Sequence, residues 1–211
     1  MVKYKRLKSS FNNASDSKKL MLMIAIFMLI GSIVGSIMAN RMNEIQYSEL
    51  KTYMDNFFYN FNQDTLIKQE VVMDSFIIYG VNVILIWFLG FIALGSFITF
   101  FLLTLRGTSI GFTTSFLIME YGLRGLWYAI VIYMPQNIIL VPVYFFIVYS
   151  SIKFTLEYVK DDRKKRAKSG SIDAKILEYV VVLILSLTLI FLISLYEAYI
   201  APNLIHTLLL N

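Results

Sequence analysis

Apolar residues along this chain come in long unbroken blocks, not in the alternating or every-third-and-fourth patterns of soluble elements. Residues 20–39 carry no charge, and neither do residues 75–105, 107–119, 126–152 and 179–196. A helix needs about 20 apolar residues to cross the hydrocarbon core of a bilayer. Four blocks reach that length, the last when counted from near Leu177, so the pattern predicts an all-α membrane protein. The block 107–119, set between Arg106 and Glu120, is too short for length alone to decide whether it crosses or turns back. The basic flank Lys3, Lys5, Arg6, Lys8, Lys18 and Lys19 looks like the start of a signal peptide. The apolar block behind it is longer than such a peptide needs and no small-residue cleavage pattern follows, so an uncleaved anchor is expected.

Charge decides the doubtful block. Six Lys/Arg precede the first block and eight lie between residues 153 and 175, whereas residues 40–74 hold three, with six acids. Basic segments stay in the cytoplasm, so residue 74 belongs outside and residue 153 inside. An odd number of crossings must separate them, and the expectation is five spans, 20–39, 76–105, 107–122, 126–152 and 177–200. The N-terminal tail 1–19 and the basic loop 153–176 are then cytoplasmic, the loop 40–75 is external, and the whole chain, 1–211, is one membrane domain. A re-entrant block with four spans is the alternative, and it would put the run Arg163 to Arg166 outside.

Two extramembrane segments have patterns of their own. From Tyr47 to Phe61, the residues Leu50, Met54, Phe57, Phe58 and Phe61 fall on one stripe of a helix. This predicts either an interfacial helix lying on the membrane or one packed on the outer ends of the spans. Residues 161–175 read as a solvated basic connector with a secondary affinity for anionic lipid.

Composition narrows the chemistry further. The chain is 58% hydrophobic and 16% charged, and its net charge of +5 is concentrated where topology requires it, which argues against nucleic acid as a partner. With no cysteine, disulfides, thiolate nucleophiles and thiolate metal sites are excluded; His206 is the only histidine. No nucleotide-binding, metalloprotease or serine-hydrolase motif is present, so neither an enzyme nor a cofactor is expected.

Inside the spans the candidates are structural. Gly31 and Gly35, with Ser32 and Ser36 beside them, form a G-x-x-x-G in the first span, and Gly107 and Gly111 repeat the spacing in the third. Such residues let helices approach closely, either within one chain or across a homodimer. Pro135, Gln136 and Asn137 sit mid-way along the fourth span, with Pro142 following, and predict a broken or kinked helix with polar groups at depth. Arg106 is expected at a cytoplasmic end, so that no ionisable residue accompanies these amides, and Glu120 and Arg124 are expected to pair at an outer turn. Glu197, near the outer end of the last span, is either a buried acid with a role or one that snorkels to the interface.

The order of short segments carries a resemblance. After the basic tail come IGSIVGS (30–36), NFF (56–58), IWFLGFIALG (86–95), RGTSIGFTTSFL (106–117), MPQNIILVP (134–142) and YEAYIAP (196–202), which ends on Pro202. Over nearly its whole length the chain resembles the stage II sporulation protein M family, with Arg106 at a position where a lysine is the more usual residue. The resemblance implies an endospore-former and a place at the sporulation septum and the engulfing mother cell membrane. It implies a scaffold that gathers two membrane-anchored wall hydrolases, the transglycosylase known as stage II sporulation protein D and the amidase/endopeptidase known as stage II sporulation protein P. The surfaces available to them are the outer loop 41–74, the turn 120–125 and the faces of the spans. A transporter or ABC-type permease subunit, resting on the broken fourth helix and Glu197, is the competing reading, and a purely structural homodimer is a third.

Overall fold

The computed structural model describes residues 2–62, 68–156 and 169–201. They form α1 (Val2–Asn40), α2 (Glu44–Asn62), α3 (Lys68–Leu89), α4 (Gly95–Tyr128), a π-helical turn (Ala129–Tyr133), α5 (Met134–Phe154) and α6 (Ser169–Tyr199). The described residues contain no strand, and five segments are long and apolar enough to cross a membrane. The all-α, five-span bundle expected from the sequence is what the chain forms.

Two borders differ from expectation. The chain does not break at Arg106. It turns at residues 90–94, where Gly90, Phe91 and Ile92 donate backbone hydrogen bonds to the carbonyls of Trp87, Phe88 and Leu89 at 3.1 Å. Gly95 closes the turn, lying so close to the Leu89 carbonyl that a Cβ there would overlap it. The second span is therefore α3, and the third starts at Gly95 and runs through Arg106 without interruption. The second correction is at Gly122, whose φ of 57° and ψ of −130° are reached readily only by glycine. The helix direction breaks there, and Gly125 packs back against the Leu117 carbonyl. Residues 95–121 are thus one arm, and residues 123–154 return as the fourth span through the π-helical turn. Glu120 and Arg124 no longer share a helical turn, and Glu120 pairs instead with Lys51 of α2 at 2.5 Å and accepts a hydrogen bond from Tyr47.

The α1–α4 seam is the most extensive helix pair, and its glycines explain it. Gly31 and Gly35 face the carbonyls of Thr104 and Thr108, while Gly107 and Gly111 face those of Met28 and Ser32. Each G-x-x-x-G of the sequence is the other's partner, in parallel register. The hydroxyls of Ser32 and Ser36 donate across the seam to the carbonyls of Gly107 and Gly111 at 3.2 and 3.3 Å. Elsewhere α3 runs antiparallel to α6, with Trp87 bonded to the Tyr179 carbonyl at 3.0 Å. It runs parallel to α5, where Ser151 and Thr155 donate to the carbonyls of Ile86 and Gly90, both at 2.8 Å. With α4 parallel to α1, the five directions alternate as charge parity requires.

The core is lined by Ile24, Val83, Ile86, Leu103, Leu140 and Ile147, with α5 at its centre. Apolar residues such as Leu29, Ile33, Phe97 and Phe101 point outward, as lipid-facing positions do. At the far end α2 opens on a capping box, in which Gln46 N–H donates to Asn43 Oδ1 at 2.8 Å and the Gln46 side chain accepts from Asn43 N–H. Its first turns pack on α4 through Tyr47 and Phe116, so this part of the stripe meets protein.

Lipid supplies no hydrophobic drive for helix association, so close packing holds α1 to α4. Gly35→Leu, which drives a side chain into the Thr108 backbone, should destabilise the purified chain by about 1–3 kcal/mol, read as a lower thermal midpoint in detergent. Ile37→Leu, half exposed on the same helix, should leave the midpoint unchanged. A folded Gly35→Leu chain that has merely lost self-association would contradict the internal seam.

Candidate functional site

The chain's buried polar chemistry is concentrated where α3, α4, α5 and α6 meet. Arg106 lies near the middle of the 95–121 arm, beside Gly107, which packs between Met28 and Ser32 of α1. A guanidinium cannot be deprotonated and finds no water at that depth, so its donors need protein partners. Its Nη2 donates to Asn137 Oδ1 at 3.2 Å, and its plane lies over the rings of Tyr79 and Tyr144, 5.1 and 5.4 Å from their centroids.

Tyr79 carries the connection onward. Its hydroxyl accepts from Gln136 Nε2 at 2.5 Å and donates to Glu197 Oε1 at 2.9 Å, while Ser75 donates to the other carboxylate oxygen. Glu197 is thereby linked to Arg106 through Tyr79. One tyrosine therefore stands between a cation and an anion contributed by different helices, touching the first with its ring and the second with its hydroxyl. Glu197 turns inward to these groups and does not snorkel. Gln136 and Asn137, 8% and 7% exposed, lie within the bundle.

Local backbone geometry places the amides. In the π-helical turn, Met134 N–H reaches back to the Ala129 carbonyl, five residues earlier. The extra residue per turn re-aims the positions that follow. Pro135 follows directly at the start of α5, and because the helix is continuous there its missing N–H leaves a carbonyl of the π-helical turn without a helical donor. Asn137 Nδ2 donates to the Tyr133 carbonyl at 2.8 Å, which fixes the amide with its oxygen toward Arg106.

Of the residues singled out from the sequence, Arg106, Gln136, Asn137 and Glu197 come together here, with Pro135 at the edge. Gly31, Gly35, Gly107 and Gly111 form the α1–α4 seam and leave that face to no second copy. Phe57 and Phe58 lie on α2, but their side chains are outside the described residues, as are Pro202 and His206. The expectation that no ionisable group accompanies Gln136 and Asn137 is overturned, because Arg106 belongs to mid-span and not to a helix end. Ser75, Tyr79 and Tyr144 are additional members. Ser75 and Tyr79 are four residues apart on one helical face, a spacing that was visible in the sequence but is silent until α6 brings Glu197 against it.

The arrangement surrounds a cation and a carboxyl group with neutral hydrogen-bonding side chains. Among the described residues no three His, Asp or Glu side chains cluster as metal ligands would. Arg106 Nε and the Tyr144 hydroxyl are buried without a hydrogen-bond partner.

The family model of stage II sporulation protein M matches residues 24–202, from within α1 to just beyond α6. The chain belongs to the stage II sporulation protein M family. The match takes in all four helices that build the Arg106 network and both sides of the glycine seam. No curated protein and no solved structure matches the chain. As a member of this family it is a multi-pass, sporulation-related membrane protein.

Arg106 and Glu197 are linked through Tyr79, so removing one of the two charges strips the other of part of its compensation, whereas removing both relieves the loss. Glu197→Leu alone should destabilise the chain in detergent by about 3 kcal/mol. Combining it with Arg106→Leu should fall short of the sum of the single effects by about 0.5–3 kcal/mol. Simple additivity in thermal unfolding would contradict the coupling.

Proposed function

We propose that this chain is a non-enzymatic scaffold for engulfment during endospore formation, organising membrane-anchored peptidoglycan hydrolases at the septum. The observation that carries the reading is the family match across residues 24–202. Two features of the fold support it. The polar groups at depth bond to one another across four helices, and the small-residue faces of α1 and α4 are spent on each other. What the chain presents outward is apolar span surface and the face of α2 away from the bundle, where Ile45 and Tyr53 are 69% and 67% exposed. By the charge rule that helix lies on the outer side, where wall enzymes work. Wall cleavage needs carboxylates or metal ions in water, and in this reading stage II sporulation proteins D and P bring them.

The transporter or permease reading gains one observation, a charged residue beside the irregular fourth span. It would also require an energy source, by ion coupling through Glu197 or through a separate ATPase at the basic inner loop.

Detergent pulldown of the full chain from sporulating cells separates the two. Recovery of wall hydrolases is expected, and recovery of an ATPase without them would overturn the scaffold. Phe57→Ala with Phe58→Ala should lower hydrolase recovery sharply, in keeping with about 2 kcal/mol or more for buried aromatic anchors.

A further inference from the structure

On the side of the bundle that the charge rule puts outside, the end of α1 and the first turns of α2 leave a groove of about 680 Å³ beside α4. Its apolar lining comes from Ile37 and Met38 of α1, Leu50 of α2 and Phe112 of α4. Ile37 lies in the last turn of α1 and Arg41 just beyond it, so hydrocarbon depth and headgroup depth meet within the groove. Ile37 is half-exposed and continues the outward stripe of Leu29 and Ile33, which opens the groove onto the lipid-facing surface. Arg41 and Glu49 also line it. Both are exposed, and neither side chain has an ion pair or hydrogen bond among the described residues. Lys51, the one lysine of α2, is committed to Glu120, and Gln46 to the capping box. The nearest undescribed backbone along the chain begins at residue 63, beyond the far end of α2.

We propose that this groove binds one outer-leaflet phospholipid of the phosphatidylethanolamine class, with its phosphate at Arg41, its ammonium at Glu49 and an acyl chain along Ile37 and Ile33. A guanidinium offers phosphate oxygens a fork of N–H donors, and a carboxylate accepts from a primary ammonium. A headgroup carrying both charges therefore answers both free side chains. An anionic headgroup without an amine would serve Arg41 and leave its own charge against Glu49, and the quaternary ammonium of phosphatidylcholine has no N–H to donate. An extended peptide is the wrong occupant, because it would carry unsatisfied backbone groups to the depth of Ile37, whereas an acyl chain carries none. The inference is independent of the scaffold reading, because it concerns a lipid and requires no hydrolase.

The test is native mass spectrometry of the full chain released from phosphatidylcholine nanodiscs that also contain phosphatidylethanolamine and phosphatidylglycerol in equal amounts. One phosphatidylethanolamine should be retained in preference to both other lipids. Glu49→Gln should lower its preference over phosphatidylcholine by about threefold, and Arg41→Gln should lower its retention by a similar factor. Both positions are exposed, so neither change threatens the fold. Ile37→Trp, which fills the apolar wall and keeps both charges, should reduce retention too. Arg124→Gln, exposed on the outer side but away from the groove, should leave the bound lipid in place, which separates the groove from general attraction to basic residues. Excess phosphoethanolamine, a headgroup without chains, should not displace it. Equal retention of the three lipids, a preference for phosphatidylglycerol, full retention by the Glu49, Arg41 and Ile37 variants, an equal loss in Arg124→Gln, or displacement by phosphoethanolamine would each overturn the proposal.

Discussion

A guanidinium in the middle of a span cannot shed its proton and cannot reach water, and the bundle is arranged around meeting that requirement. Arg106 takes an oxygen from Asn137 on α5 and the ring faces of Tyr79 on α3 and Tyr144 on α5, and Tyr79 in turn donates to Glu197 on α6. Four spans are committed to one position by these contacts. In lipid this is strong specification, because apolar helix faces pack against one another scarcely better than against acyl chains. Sliding or rotating α3, α5 or α6 would strip a charge of its partner, whereas the same movement of leucine past leucine would change little. The irregular backbone ahead of α5 belongs to the same solution, since the π-helical turn and Pro135 set the two amides that serve Arg106 and Tyr79.

The remaining span is held differently. α1 contributes no charge at depth and joins through backbone proximity, with glycines from both helices against opposing carbonyls and two serine hydroxyls across the seam. Arg106 and Gly107 are adjacent in sequence but serve different faces of α4, one turned to the α3–α5 group and the other to α1. α4 is thus the element that joins the glycine seam to the polar network.

This division explains what could be read from the sequence. Five crossings followed from hydropathy and charge parity, because lipid demands long apolar blocks and basic loops stay inside. The glycine spacings announced a close-packed seam, though not that the two motifs pair with each other. The border between the second and third spans was misplaced because the uncharged block 75–105 conceals its turn. That turn depends on Gly90 and Gly95 tolerating close backbone contact, a weaker signal than a charge. Arg106 was the strong signal, and it misled. A charged residue marks a helix end only when water is its partner, and the partners that hold Arg106 in mid-span are Tyr79, Asn137 and Tyr144, dispersed along the chain. Glu197 could be flagged as an acid at depth, but nothing local revealed that Ser75 and Tyr79 would receive it.

A guanidinium held within the bundle is the centre around which the helices are ordered. That view depends on Arg106 lying inside the bilayer. The chain has no cysteine, so single replacements can report depth without interference. Leu94, at the turn, and Leu105, beside Arg106, are 67% and 48% exposed on the protein surface, so neither is hidden from a reagent by packing. With a membrane-impermeant thiol reagent on inverted vesicles, Leu94→Cys should label readily and Leu105→Cys should stay unlabelled, and the latter should stay unlabelled from the outer face as well. Labelling of Leu105→Cys from the cytoplasmic side as fast as Leu94→Cys would return Arg106 to a helix end and contradict the account.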